Sequence, residues 1–277
     1  MTRLICGCTW WGLESYGLDE MLKKISHSGY DAVEIGIPNS VREQNLLRSL
    51  LDKYHLELIV HQYNASGNNF YEYCNSLQKS LELAASFQPL LINSHTGKDY
   101  WSFEEGCHVF ELAEEISQKH NVTIAHETHR GRLLYSAPVT SQFFLNLDFL
   151  KINADFSHWV NVSESLLEEQ ENTMVMAISR AEHIHARIGY SQGPQVNDPR
   201  SGEWENEINA FSGWWKKIMK RHIDEQRPFT TVTPEFGPIP YTVRMPFTHI
   251  PLSNPWELNL YMKDYVKQLF QEVLNEL

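Results

Sequence analysis

The chain has 277 residues, 42% of them hydrophobic and 21% charged, and a formal net charge of −12; that charge disfavours general nucleic-acid binding, because the chain and the polyanion repel each other. No apolar run approaches the roughly 20 residues of a membrane-spanning helix. The N-terminus lacks the apolar stretch of a signal peptide, and four cysteines are too few for a disulfide scaffold. These features predict a cytoplasmic protein with no membrane or nucleic-acid partner.

Short apolar or β-branched runs alternate with amphipathic helical stretches along the whole chain. The runs predict eight strands, at residues 4–8, 32–37, 57–61, 90–95, 123–128, 150–156, 182–189 and 230–236. A helix is predicted after each of the first seven strands. Residues 256–274 supply the eighth helix, which Asn254 would cap and Pro255 would begin. Strands that alternate with helices are typically parallel and joined by crossovers.

Eight such units in one chain favour an α/β fold of the closed (β/α)8 TIM barrel type, as a single domain spanning residues 1–277. The alternative is an open doubly wound sheet. No Gly-x-Gly-x-x-Gly turn follows the first strand, which weakens the dinucleotide-binding form of that alternative. Residues 190–202 and 237–254 are rich in Pro, Gly and polar residues, and in a barrel they would be long loops on the catalytic face.

Four consecutive predicted strands end in side chains that commonly bind metals. These side chains are Glu127, Asp155, His185 and Glu235. Because the carboxyl ends of parallel strands meet at one mouth of a barrel, we expect the four to converge. Converging carboxylates repel one another unless a cation neutralises them, so the pattern indicates a divalent metal. Three oxygen ligands and one nitrogen suit Mn²⁺, Mg²⁺ or Co²⁺ and also admit Zn²⁺.

The motifs around these residues resemble those of a known superfamily. They read His126-Glu127-Thr128-His129, Asp155-Phe156-Ser157-His158, His183-Ile184-His185-Ala186-Arg187 and Pro234-Glu235-Phe236-Gly237. Their order on strands five to eight is similar to that of the xylose-isomerase-like TIM barrels, especially the D-tagatose 3-epimerase type. The resemblance implies a sugar isomerase or epimerase of carbohydrate metabolism, with one divalent metal ion and no organic cofactor.

The resemblance also implies a role for each residue. Glu127 and Glu235 would flank the substrate carbon, one removing a proton and the other returning it through an enediolate. The same two residues would bind the metal together with Asp155 and His185. His158 would donate a hydrogen bond to a substrate oxygen.

Two positions depart from the epimerase pattern. Ser191 stands where those enzymes carry Arg, and Leu133 stands where they carry Glu. Arg187 is the candidate to bind substrate in place of the missing Arg. Trp11 would stack on a sugar face or pack in the rim. His129 and the Arg-Gly-Arg run after it would meet a substrate carboxylate or phosphate, or form a solvated loop cluster.

A second family with this fold competes. Endonuclease IV-type apurinic enzymes, which are phosphoesterases, carry a trinuclear zinc cluster with His ligands on strands three and four. This sequence has His61 and His95 at the corresponding strand ends, where they would bind a second metal or the substrate, or only make hydrogen bonds in the mouth. Asp198 follows at that family's spacing, but Arg200 stands where the family has a further His. A third hypothesis is a non-catalytic sugar-binding barrel.

The expected partner is a small sugar-like molecule. The Trp214-Trp215 pair in the seventh predicted helix would suit either an interface between identical chains or packing on the barrel. His126 and His183 flank ligand positions, and both are predicted to make structural hydrogen bonds.

Overall fold

Eight parallel strands form a closed barrel in the computed structural model, which describes residues 2–276. Each strand pairs with the next, and the last pairs with the first. The strands are β1 Arg3–Thr9, β2 Ala32–Ile35, β3 Glu57–Gln62, β4 Leu91–Ser94, β5 Ile124–Glu127, β6 Ile152–Ala154, β7 Ala181–Ala186 and β8 Phe229–Pro234. The predicted single-domain TIM barrel is confirmed; residues 1 and 277 of the predicted domain lie outside the described range.

Nine α-helices surround the strands within residues 2–276. They are α1 Leu18–His27, α2 Val41–Tyr54, α3 Phe70–Ala85, α4 Phe103–His120, α5 Ala137–Asn146, α6 Phe156–Ser163, α7 Glu171–Arg180, α8 Glu205–Asp224 and α9 Pro255–Asn275. None of these helices is long and apolar enough to cross a bilayer.

The connection between β6 and β7 holds two helices where the sequence pattern predicted one. Glu164 ends α6 in the left-handed conformation, with φ of 49°. Leu167 also has positive φ, at 61°, and a short 3-10 helix at Glu168–Gln170 then leads into α7. Two consecutive breaks in the helical backbone therefore divide the segment.

Most of the predicted strands extend beyond the observed ones at their carboxyl ends. The predicted sixth strand included Asp155 and Phe156, but β6 ends at Ala154. Asp155 is instead the N-cap of α6, and its side chain accepts a hydrogen bond from Ser157 N at 3.2 Å. The strands are shorter because the chain turns toward the helix layer as soon as the interstrand ladder ends. The ligand side chains thus lie on or just after the last ladder residues.

Side chains alternate along each strand between the barrel interior and the helix layer. Near the amino ends of the strands, an apolar interior floor consists of Ile5, Ala32, Ile59, Leu91 and Ala125. The outward-facing residues, such as Val33 and Val60, join the larger core formed with the helices. The floor therefore fills the base of the barrel on the side of β1 to β5.

The tryptophan pair of α8 packs within the protein. Trp215 has no exposed surface, and Trp214 is partly buried against Phe156 and Phe211. Trp215 therefore packs on the barrel, whereas Trp214 keeps a partly exposed edge in a groove beside α7. An interface between identical chains at this pair stays a prediction.

The loops after β1, β7 and β8 contact one another at the mouth of the barrel. Gln195 donates from Nε2 to Gly237 O at 3.2 Å and accepts from Gly237 N at 2.7 Å. Trp11 lies so close to Gly237 that a Cβ there would be 2.1 Å from the indole. The Trp11 ring also meets Tyr241 edge-on, with centroids 5.0 Å apart. The three loops together form one wall of the mouth.

Candidate metal and substrate site

The barrel interior becomes polar directly above its apolar floor. Glu34, His61, Asn93 and Glu127 each lie two residues after a floor residue on β2 to β5, so strand alternation turns all four inward. All four are buried. Asn93 Nδ2 donates to Glu34 Oε1 at 2.9 Å and to Glu127 Oε2 at 2.8 Å. The polar layer is therefore hydrogen-bonded across the barrel.

The four predicted metal ligands come together above this layer. Glu127 ends β5, His185 lies in β7, and Asp155 and Glu235 directly follow β6 and β8. Each residue offers a ligand atom that lies within 4.8 Å of the others, and all four residues are buried. Three buried carboxylates and one imidazole at this separation could hold a metal ion.

His185 is oriented by a carboxylate that lies behind it. Its Nε2 is 2.9 Å from Glu34 Oε1. Because a carboxylate only accepts hydrogen bonds, Nε2 carries the hydrogen. Nδ1 is buried without a hydrogen-bond partner among the described residues and lies 3.1 Å from Glu235 Oε2 and 3.6 Å from Glu127 Oε2. Coordination to a metal would satisfy this orphaned nitrogen.

Glu34 is held in its ionised form. Burial would raise its pKa, but the positive charge of His185 and the hydrogen bond from His183 outweigh burial and hold the pKa well below its usual value. His183 Nε2 lies 3.2 Å from Glu34 Oε2, and its Nδ1 lies 2.8 Å from Thr231 Oγ1. The structural hydrogen bonds predicted for His183 are therefore present.

The convergence of carboxylates shifts the pKa values of the cluster itself. Burial would lower the pKa of His185, but the neighbouring carboxylates, Glu235 first, raise it well above its usual value. Burial raises the pKa of Asp155 to about 6, against the opposing charge of Arg187. The carboxylates thus favour a proton on His185, and a divalent cation would offset the same negative charge.

Arg187 lies among the carboxylates just after β7. It is 1% exposed, and its Nη2 contacts the Asp155 carboxylate. Its Nη1 lies 3.2 Å from Glu235 Oε2. Burial would lower the pKa of the guanidinium, but Asp155 and Glu235 outweigh burial and raise it. Arg187 therefore supplies a permanent positive charge and fixes two of the four clustered side chains.

A second group of potential ligands shares Glu127. His61 Nε2 lies 3.2 Å from His95 Nε2, which in turn is 3.0 Å from Glu127 Oε2. Burial, reinforced by His95, lowers the pKa of His61 to about 4. His61 is therefore neutral, the form in which imidazole binds metals, and its Nδ1 is buried without a hydrogen-bond partner among residues 2–276. These three residues could hold an additional ion.

A pocket of about 380 Å³ opens above the cluster. Glu127 and Glu235 line it, whereas Asp155 and His185 lie beneath it. The rest of its wall is aromatic or basic apart from one acidic residue, and consists of Trp10, Trp11, Glu14, His61, Tyr63, His95, His129, Arg132, Arg187 and Tyr241. Aromatic walls above polar groups suit a sugar, because a sugar has apolar faces and hydroxyl edges.

Residues 22–203, more than half of the chain, match the family model described as xylose isomerase-like TIM barrel. The chain belongs to this family. No curated protein matches the sequence.

Solved structures of similar fold cover nearly the whole of this xylose isomerase-like barrel. A xylose isomerase-like TIM barrel protein from Mycobacterium smegmatis in complex with magnesium has a TM-score of 0.66 at 10% identity, over 99% of this chain and 98% of that one. The probable 3-DHS dehydratase of Bacillus anthracis has a TM-score of 0.60 at 14% identity, over 96% of this chain and 99% of that one. The 3-keto-D-glucoside 4-epimerase of E. coli has a TM-score of 0.60 at 11% identity, over 96% of this chain and 99% of that one. At these identities the likeness establishes the fold.

Most residues predicted to contact substrate reach the mouth of this xylose isomerase-like barrel. The residues on the pocket wall are His61, His95, Trp11, His129 and Arg187. His158 is the exception, because it has no exposed surface. Its Nε2 lies 2.8 Å from Arg187 Nη2, and its ring packs on His129 at 3.9 Å between centroids. The structure therefore places His158 as a support for Arg187, away from the pocket wall.

Two further sequence interpretations are settled by contacts. Asp198 binds Arg200, with Oδ1 2.8 Å from Nε, and belongs to none of the ligand groups formed by the described residues. A third metal, as in the endonuclease pattern, would therefore be without Asp198 as a ligand, and also without the His that Arg200 replaces in this chain. His126 Nδ1 lies 2.6 Å from Thr96 Oγ1, as predicted for a structural histidine.

Sequence reasoning missed five residues of the site. They are Glu34, Asn93, Glu14, Tyr63 and Tyr241. A lone carboxylate between Val33 and Ile35, in a strand otherwise apolar, was the available indication for Glu34. Tyr63 and Tyr241 lie in loops, where the sequence carries no periodicity that would orient them.

Proposed function

We propose that this protein is an enzyme, a divalent-metal-dependent isomerase or epimerase of a sugar, polyol or related hydroxy-carbonyl compound, working by proton transfer through an enediolate. One observation supports it above the others. Glu127 and Glu235 face the pocket, and His185 directs an unpaired buried nitrogen toward them from below. The site thus offers a place for a cation and, beside it, two groups able to exchange protons with a substrate.

Glu127, Asp155, His185 and Glu235 would hold the metal. When bound, the ion would polarise neighbouring carbonyl and hydroxyl oxygens and stabilise the negative charge that develops as a carbon-bound proton leaves. The ligand set suits Mn²⁺, Mg²⁺ or Co²⁺ and admits Zn²⁺. The similar barrel from Mycobacterium smegmatis was solved with magnesium.

The two pocket carboxylates are held in the same way. Glu127 Oε2 accepts from Asn93 at 2.8 Å and lies 3.0 Å from His95. Glu235 Oε2 lies 3.2 Å from Arg187. These contacts use Oε2 in both residues, and both residues line the pocket. One carboxylate would take the proton from the substrate carbon, and the other, entering as the acid, would return a proton.

The remaining walls would orient the substrate. Trp10 and Trp11 would pack on sugar faces, and His129 and Arg132 would donate hydrogen bonds to substrate oxygens. His158 would keep Arg187 in place through their 2.8 Å contact.

The test joins metal content to proton exchange. Protein purified without chelator is analysed by elemental mass spectrometry, and deuterium incorporation from D₂O into a panel of ketoses and inososes is followed by NMR. We expect about one divalent ion per chain, lost in Glu235→Ala, and carbon-bound deuterium in at least one substrate. Glu235→Gln and Glu127→Gln should each slow exchange by roughly 10²–10⁴-fold. Exchange at the wild-type rate in both Gln variants, or no metal after reconstitution, would refute the proposal.

The group formed by His61, His95 and Glu127 favours a second candidate, a metal-dependent phosphoesterase with two ions that share Glu127. This candidate predicts two zinc ions per chain, one of them lost in His95→Ala, and hydrolysis of bis(p-nitrophenyl) phosphate. A barrel that only binds sugar predicts sugar binding unaffected by Glu235→Ala and by chelator.

A further inference from the structure

A second and larger cavity adjoins the pocket. It is a groove of about 690 Å³ that runs between the β2–α2 connection, the end of β3 and the side of α3. The groove and the pocket share three wall residues, Trp10, His61 and Tyr63. The rings of Trp10 and Tyr63 stack with centroids 5.9 Å apart and an interplanar angle of 27°. The stacked pair therefore stands at the junction of the two cavities.

Gly36 lines the groove beside Tyr63, where the groove meets the pocket. At the junction, a Cβ on Gly36 would lie 3.0 Å from the Tyr63 ring. The absence of a side chain at Gly36 thus leaves room for Tyr63 beside the opening.

The groove contains a buried donor with no partner. Gln62 is 2% exposed, and its Oε1 accepts from Ser94 Oγ at 2.8 Å. Its Nε2 is buried without a hydrogen-bond partner among the described residues, and Gln62 is one of the residues that line the groove. A buried amide left unpaired destabilises the fold. An acceptor atom on a ligand in the groove would satisfy it.

The charge of the groove also favours an oxygen-rich ligand. No Asp or Glu occurs among its lining residues, although the chain carries a net charge of −12. Lys79 is its cation and makes no salt bridge with any described residue. Leu83 and Ala84 supply an apolar floor. Donors above an apolar floor match a sugar ring, whose edge accepts hydrogen bonds while its face packs on carbon.

We propose that this groove is a second subsite that takes the distal unit of an elongated carbohydrate while the reacting unit lies in the pocket. Gln62 and Lys79 donate hydrogen bonds to the distal unit, and the Trp10–Tyr63 pair packs against the linkage between the two units. The proposal depends on the proposed function only in placing a sugar unit in the pocket. A pocket of 380 Å³ is near the lower end of the usual range for ligand sites, about 300–1,000 Å³, so a longer substrate needs the groove.

The test compares disaccharides with their component sugars. Cellobiose, lactose and maltose, with D-glucose and D-galactose, are titrated into metal-loaded protein by isothermal titration calorimetry. We expect at least one disaccharide to bind about tenfold or more tightly than its component sugars, because one or two added hydrogen bonds contribute that much.

Two variants in the groove and one control variant test whether the groove is the source of the tighter disaccharide binding. Ser80→Trp would fill the groove and abolish the gain. Ser179→Trp introduces the same side chain into a separate groove of about 490 Å³ beside α7 and should leave the gain intact. Lys79→Ala is the second groove variant and replaces Ser80→Trp if that variant fails to fold. Lys79 is exposed, so its substitution does not endanger folding. We expect it to reduce the gain in affinity several-fold.

The outcomes separate this proposal from the proposed function. Component sugars that bind as well as every disaccharide, or a gain that persists in Ser80→Trp, would overturn the subsite while leaving the function standing. A groove-dependent gain in protein that holds no metal would support the subsite and overturn the function. Metal-loaded protein that binds none of these sugars would overturn the subsite; deuterium exchange on the ketose panel would still decide the function.

Discussion

Two histidines at opposite ends of the barrel are equally buried, yet their surroundings differ in every other respect. His222, at the base, and His185, near the mouth, are each 1% exposed. His222 Nδ1 lies 2.7 Å from Thr230 Oγ1, and its Nε2 lies 2.9 Å from Ala181 O. Both of its nitrogens are therefore satisfied, whereas His185 has a partner for Nε2 and none for Nδ1 among residues 2–276.

The charges around the two rings are also opposite. Burial, together with the nearby Arg227 and Arg221, lowers the pKa of His222 to about 3. Around His185 the carboxylates prevail over burial and raise the pKa well above its usual value. Burial alone therefore does not distinguish a structural histidine from a ligand. The distinction lies in an unsatisfied nitrogen together with an excess of negative charge.

The largest expected effect comes from removing each ring in turn. We expect His185→Ala to weaken metal binding by more than about 100-fold, since removing a ligand should exceed the 10–100-fold typical of outer-shell changes. His222→Ala should instead leave metal affinity unchanged and destabilise the fold by about 2–3 kcal/mol, because it leaves buried polar partners unpaired. Calorimetric metal titration and urea unfolding of both variants measure the two effects. If His185→Ala binds metal as tightly as the wild type, His185 is not a ligand, and the difference proposed between the two histidines is wrong.

A smaller effect is expected from the carboxylate behind His185. Glu34→Gln keeps the size of the side chain but loses the charge that holds the hydrogen on His185 Nε2. We expect metal affinity to fall by roughly 10–100-fold, measured by competition with a chromophoric chelator. Glu182→Gln is the matched control, since Glu182 is a partly buried carboxylate paired with Arg227 at the base. An equal loss of affinity in both variants would contradict the role assigned to Glu34.

The smallest effect concerns pH and the base of the barrel. The folded-state pKa of His222, about 3, is below its reference value of 6.5, so the unfolded chain binds more protons as pH falls below that value. Stability is therefore lost with acidification, and the His222 contribution between pH 7 and pH 5.5 is about 1 kcal/mol. Urea unfolding at both pH values should show this loss in the wild type and a loss about 1 kcal/mol smaller in His222→Gln. Identical pH dependence in the two proteins would rule out His222 as the source.

The sequence carried enough information to find the four clustered candidate ligands but not the groups that support them. Strand ends in a parallel barrel converge whatever their exact register, so Glu127, Asp155, His185 and Glu235 could be placed together without knowing any contact. Glu34 lies inside a strand, and its contact with His185 spans 151 positions along the chain. Only the closure of the barrel brings β2 opposite β7.

Helix phase limited the prediction in a similar way. His158 was expected to contact the substrate because the resemblance to the epimerase-type barrels implies that role. Its spacing of three positions from Asp155 places it on the face of α6 that packs under Arg187, which becomes evident only once Asp155 is known to cap the helix. For Trp214 and Trp215, a pattern of adjacent tryptophans does not reveal which ring faces inward.

The Gln195–Gly237 pair has a consequence for the exchange of segments between related barrels. A chimaera that received only the loop after β7 from a relative would leave the backbone N–H and C=O of Gly237 without the amide that now pairs with both. Any residue larger than glycine at position 237 would displace the Trp11 indole. The loops after β1, β7 and β8 must therefore be exchanged together in such a chimaera. Among relatives, we expect the sequences of these three loops to vary together.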